Sequence, residues 1–190
     1  MPPSGANLLA ECLYRHGTRH VFGMPGSHST FIYDAIHQRG LQTILCRNEQ
    51  AGAFMADGYA RSTGRPGVVC TTAGPGATNA LTGIAESFSD SVPVLLIAGQ
   101  VNHDRIHQSC GRYHEIDLEG IFRPCVRFAA TVMNNEQIPG TVNRAFESMT
   151  AWLHTLWLHT LWLHTLWTHP LRRHRQHLPP CRATLLQATK

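Results

Sequence analysis

Apolar positions along the first 150 residues change period in alternation. Leu8, Leu9, Cys12 and Leu13 recur at helical spacing and stop at Gly17, so residues 6 to 16 are predicted as an amphipathic helix with a glycine cap. His20 to Phe22 form a short apolar strand, broken by Gly23-Met24-Pro25-Gly26, where Gly and Pro favour a tight turn. A helix over 30 to 38 follows and ends at Gly40. Residues 43 to 46 are predicted as a buried strand, 49 to 61 as a helix with Ala53, Ala56 and Ala60 on one face, and 67 to 72 as another strand. Helix 77 to 88, strand 92 to 98, strand 125 to 132 and helix 136 to 149 continue the alternation.

Strands alternating with helices of about a dozen residues imply right-handed crossover units. The expected fold is α/β: a doubly wound parallel sheet with helices on both faces, complete before Ala151, plus an irregular C-terminal tail. Ligands of such sheets sit beyond the carboxyl ends of the strands. Three loops fall there, at 23 to 27, 47 to 50 and 72 to 79.

Charge separates the tail from the rest. Residues 1 to 147 hold all 12 acidic and 11 of the 16 basic residues, a net −1, whereas 148 to 190 hold five basic residues and no acid. The overall +4 therefore belongs to the tail and gives no sign of nucleic-acid binding by the domain. Six cysteines without a C-x-x-C pair or metal-ligand spacing predict reduced thiols and no metal site. No apolar run approaches the roughly 20 residues of a spanning helix, which points to a cytoplasmic chain. Lys190 is the only lysine, so neither a P-loop nor a Schiff-base lysine is available, and no G-x-S-x-G elbow is present.

Singly, the three loops are ordinary: a Pro-Gly turn, a Glu at the positive end of a helix, and a glycine run in which Asn79 stands where a dinucleotide loop needs its third glycine. Together and in order they resemble a known family. Val21-Phe22-Gly23-Met24-Pro25-Gly26, then Arg47 to Arg61, then Thr72-Ala73-Gly74-Pro75-Gly76-Ala77-Thr78-Asn79, then Asp90-Ser91-Val92-Pro93-Val94 are similar to the N-terminal, pyrimidine-binding domain of acetolactate synthases and related thiamine-diphosphate decarboxylases. The resemblance covers residues 5 to about 150, giving a domain over 1–150.

The resemblance implies binding of the pyrimidine half of thiamine diphosphate. In that family the glutamate matching Glu49 hydrogen-bonds N1′ of the aminopyrimidine and favours the imino tautomer, which removes the thiazolium C2 proton. Pro25 and Gly26 match positions that lie against the pyrimidine, a bare Gly26 giving the ring room, and Thr72, Gly76 and Asn79 match the loop beside the reaction centre. Tyr113-His114-Glu115 replaces a usual Phe-Gln-Glu run, which makes His114 either a general acid or base or a solvent-facing loop histidine, with His28 equally open. The Mg²⁺ and diphosphate half of the site, and the FAD domain of some relatives, are absent from the sequence. The expected partners are a diphosphate-binding domain on another chain, with dimerisation, and a 2-oxo acid substrate. The alternative is a non-catalytic module that keeps the fold for association.

From Trp152 a pentad, Trp-Leu-His-Thr-Leu, runs three times without change to Leu166 and contributes to a 151–190 region that holds all four tryptophans. A five-residue period advances about 140° per unit on a helix, so neither the tryptophans nor His154, His159 and His164 converge on one face. The expectation for 151–190 is out-of-frame translation or disorder, with no specific nucleic-acid contact.

Overall fold

The computed structural model describes residues 4–101, 113–150 and 183–188; the pentads at 152–166 lie outside them. Ser4 caps the first helix, α1 (Gly5–Arg15), by accepting from the Asn7 N–H at 3.2 Å. The alternation then runs β1 (His20–Gly23), α2 (Thr30–Gln38), β2 (Gln42–Leu45), α3 (Glu49–Thr63), β3 (Gly67–Thr71), α4 (Pro75–Ser89) and β4 (Val94–Gly99). After the gap come α5 (Leu118–Phe122), a 3-10 turn (Arg123–Cys125), β5 (Val126–Val132), α6 (Gln137–Thr150) and β6 (Ala183–Ala188). Among the described residues no helix is long and apolar enough to cross a membrane.

The six strands form one sheet of order β2-β1-β3-β4-β6-β5, every neighbouring pair parallel. Period-two alternation sends Val68, Cys70, Leu95 and Ile97 to the face covered by α1, α2 and α6. Val69, Leu96 and Ala98 point to the face covered by α3, α4 and α5. Strands β3 and β4 are buried along their whole length, as expected of a parallel sheet covered on both sides.

Strand β2, expected to be buried, stands at the edge of the sheet with none of its four residues buried and Leu45 66% exposed. Three further features differ from the sequence expectation. Helix α4 begins at Pro75, not at 77, because proline suits the first helical position, where its missing N–H costs nothing. The glycine-rich motif is therefore half loop and half first turn. Gly74 precedes it at φ 58 and ψ −117, a conformation closed to residues with a side chain. Five-residue α5, too short to leave a periodic signal, is started by Asp117, whose side chain accepts from the Gly120 N–H at 2.9 Å.

The last difference concerns the sheet, which is not complete before Ala151. Strands β4 and β5 do not pair with each other; β6 lies between them, with Ile97 and Ala130 both opposite Leu186. Its sequence, Ala-Thr-Leu-Leu-Gln-Ala, carries neither charge nor proline, the two features that bar a segment from a central strand.

Candidate functional site

The loops that follow β1, β2 and β3 meet at the carboxyl edge of the sheet. Asn48 caps α3 by accepting from the Gln50 N–H at 2.8 Å, which fixes Glu49 as the first residue of the helix. Glu49 is only 5% exposed. Its Oε2 accepts from Nδ2 of Asn79 on α4 at 3.1 Å, and Oε1 has no hydrogen-bond partner among the described residues.

Thr72 joins the other two loops to this carboxylate. Its Oγ1 accepts from the His28 N–H at 3.3 Å. A side-chain carbon placed on Gly26 would stand 2.6 Å from Thr72 Cβ; placed on Gly76 it would stand 2.6 Å from Thr72 Cγ2 and 3.2 Å from Glu49 Oε1. Both positions must be bare for Thr72 to sit where it does. The space in front of Gly26, expected to give room to a ring, is thus taken up by Thr72. Pro25 is exposed beside it, and Asn79 is exposed on the first turns of α4.

Ser29, which sequence reasoning passed over, closes the β1 loop. It is fully buried, its Oγ accepts from the Gly26 N–H at 3.0 Å, and its own N–H donates to the Gly26 carbonyl at 2.9 Å. The signal was present as a serine three residues after a glycine, the spacing of a side-chain-closed turn. Beneath the site Cys46 is buried, with Sγ 3.0 Å from where a Gly52 side-chain carbon would lie. Burial pushes its thiol above the ordinary range, so it stays protonated.

His114 comes to the same edge by a different route. Its backbone covers Gly74, whose missing side chain would collide with the His114 carbonyl at 2.5 Å. It adopts φ 64, and its ring stacks on Tyr113 at 3.8 Å and lies 5.8 Å from that of His28. His114 Nδ1 is buried without a hydrogen-bond partner among the described residues. The structure thus brings Glu49, Thr72, Gly76 and Asn79 into direct contact and sets His114 and His28 as a pair on the flank of the same loop.

Large apolar side chains remain exposed around this edge: Leu45 at 66%, Phe31 at 60%, Met55 at 43% and Phe54 at 42%. Asp57, the one acid in the Ala-Asp-Gly run of α3, is committed elsewhere, paired with Arg61 at 2.5 Å and accepting from Ser87 Oγ at 2.9 Å.

Residues 3–121 match the family described as thiamine pyrophosphate enzyme, N-terminal TPP binding domain. The chain is 48% identical over 144 residues to the acetolactate synthase large subunit of Haemophilus influenzae, covering 75% of this chain and 25% of that protein. It is 44% identical over 144 residues to the acetolactate synthase isozyme 3 large subunit of Escherichia coli, with the same two coverages. Against the probable acetolactate synthase large subunit of Methanocaldococcus jannaschii the identity is 41% over 146 residues, 77% of this chain and 24% of that one. The chain spans about a quarter of the length of these relatives.

Proposed function

Because the chain belongs to the family of thiamine pyrophosphate enzymes through their N-terminal TPP binding domain, we propose that its carboxyl sheet edge is the pyrimidine half of a thiamine-diphosphate site in an acetolactate-synthase-like 2-oxo-acid carboligase or decarboxylase. The observation that carries this reading is the buried Glu49, one carboxylate oxygen held by Asn79 and the other without a partner among the described residues. A buried carboxylate whose open oxygen faces the bare Gly76 fits a ligand that presents a weakly basic ring nitrogen and can share a proton with it.

Thiamine diphosphate, when bound, supplies the electron sink that 2-oxo-acid chemistry requires. The chain's own residues do the rest. Glu49 Oε1 holds the proton shared with the pyrimidine N1′, and Asn79 fixes the rotamer of the carboxylate. Thr72, seated on Gly26 and Gly76 and flanked by Pro25, forms the wall beside the ring. His114, whose ring lies 5.8 Å from that of His28, moves a proton to or from a 2-oxo acid substrate in this reading. The diphosphate and its Mg²⁺ would be held by a separate diphosphate-binding domain docked against this edge. The exposed Leu45 of β2 and Phe54 and Met55 of α3 support docking of such a partner.

The test is proton exchange at thiamine C2, followed by NMR in the full chain mixed with a diphosphate-domain polypeptide. Glu49→Gln is expected to slow exchange by about 10² to 10⁴. Exchange at the unaltered rate in the Gln variant removes Glu49 from this role.

A further inference from the structure

We propose that the opposite edge of the sheet carries a second ligand site, a pocket of about 330 Å³ that takes a small anion borne on a flat ring, an aryl phosphate or an aryl carboxylate. The inference is independent of thiamine chemistry. Thr18 and Arg19 lead into β1, His20 opens it, Arg65 and Pro66 lead into β3, and these residues line the pocket. It therefore opens at the amino ends of the strands, whereas Glu49 and Thr72 stand at their carboxyl ends. Tyr59 of α3 reaches the pocket ten residues after Glu49, roughly 15 Å along the same helix.

Its size is at the lower end of the range for small-molecule sites, about 300 to 1,000 Å³. Its walls select the charge of the ligand: two arginines and two histidines line it, and no acid does. The Arg65 guanidinium has no ion-pair or hydrogen-bond partner among the described residues, and its fork suits two oxygens of a phosphate or carboxylate. Arg19 is held in place by its own Nη1, which donates to the carbonyls of Tyr14 at 3.0 Å and Thr18 at 2.8 Å, and by the Tyr14 ring under its guanidinium. These contacts orient the group without neutralising it.

The same walls select the shape. The His16 ring lies parallel to that of Phe146, with centroids 4.3 Å apart and 6° between planes, and its Nε2 is fixed by Asn143 Oδ1 at 2.8 Å. His20 leans on Tyr59 at 5.4 Å. Four rings thus line a cavity that two cations flank, an arrangement for a planar body with an oxyanion at one end. Two wall residues also hold buried polar atoms without a partner among the described residues, Thr18 Oγ1 and His20 Nδ1, and Thr18 is only 6% exposed. Such groups mark a wall whose hydrogen-bonding capacity the described residues do not fill.

Titration of the full chain with phenyl phosphate and with benzoate tests this, alongside inorganic phosphate and benzyl alcohol, with the His16 and His20 ring protons followed by NMR. At least one ring-bearing anion is expected to bind and to shift both histidines, the tighter of the two identifying the headgroup. The ringless and uncharged probes are expected to bind at least about tenfold more weakly. Arg65→Gln, at an exposed position, is expected to weaken binding about tenfold, and Glu49→Gln to leave it unchanged. The proposal is overturned if neither anion binds at millimolar concentration, if benzyl alcohol binds as well as they do, or if Arg65→Gln binds with unaltered affinity.

Discussion

The two faces of the sheet are filled in different ways. Under α1, α2 and α6 the core is made of large side chains: Leu9, Leu13, Ile32, Ile36, Ile138 and Phe146. On the other face the residues that α3 and α4 themselves contribute are small, alanines at 53, 56, 60, 77 and 80 with Gly83 among them, and Ile84 is their one large buried apolar side chain. Large residues hold helices at a distance and supply transfer free energy; small ones let two helices approach closely and leave backbone and polar groups to meet. The second face uses that proximity. Glu49 bonds Asn79, Ala53 faces Gly83, and Asp57 bonds Ser87, so each step of four along α3 meets a step of four along α4. The ladder places the buried carboxylate at its upper rung, and stability and site construction fall on different faces of one sheet.

The largest effect is expected where only filling is lost. Leu13 is fully buried among large neighbours, so Leu13→Ala removes three carbons and leaves a cavity, at a cost of about 3 kcal/mol. Denaturant unfolding is expected to show that loss, while the Asn79 side-chain amide keeps its NMR position because the α3–α4 ladder is untouched. A displaced Asn79 amide in this variant would mean that the two faces are mechanically coupled.

Gly83→Val attacks the other face. A side-chain carbon at Gly83 would stand 2.7 Å from Ala53 Cβ and 3.1 Å from the Phe54 nitrogen, so α3 and α4 must separate. Overpacking of this kind costs about 2 kcal/mol, less than the Leu13 cavity. Its effect on the site is expected to be greater, because the 3.1 Å contact of Asn79 with Glu49 lies one rung away on the same ladder. The Asn79 amide resonance is the readout, and an unmoved amide in a destabilised variant removes the ladder as the positioning element.

How far this was legible in the sequence follows the range of the interactions. Glu49 at a helix start, Ala53, Ala56 and Ala60 on one face, and the order of strands and helices from α1 to β4 are local patterns, and each is in the structure as expected. The pairings of Asp57 with Ser87 and of Ala53 with Gly83 cross 30 residues, and no periodicity reports which helix a small face will meet. Gly26 was legible as a residue that must be bare, but the neighbour that requires it, Thr72, lies 46 residues away in the loop after β3. Strand β6 is harder still: six uncharged residues in a basic tail carry little strand signal until a place beside β4 and β5 exists for them.

The smallest effect is expected at the lower end of the helix pair, where the ladder finishes in charges. Arg61 of α3 pairs with Asp57 at 2.5 Å and with Asp90, the residue that ends α4, at 2.7 Å, and both carboxylates hold its guanidinium above the ordinary range. Asp57 is sheltered, its side chain 9% exposed, but Arg61 and Asp90 are 43% and 47% exposed, so solvent screens their attraction. Such a pair contributes about 0.5 kcal/mol. Asp90 also places a negative charge at the carboxyl end of α4, where the helix dipole opposes it by about 0.3 kcal/mol. The two terms nearly cancel, and Asp90→Asn is expected to change stability by less than about 0.5 kcal/mol, with the residual difference fading in high salt. Denaturant midpoints at low and high ionic strength measure this. A loss above about 1 kcal/mol that persists in salt would show that the lower rung is as sheltered as the upper one, and that the alanine face is clamped at both ends by buried polar contacts.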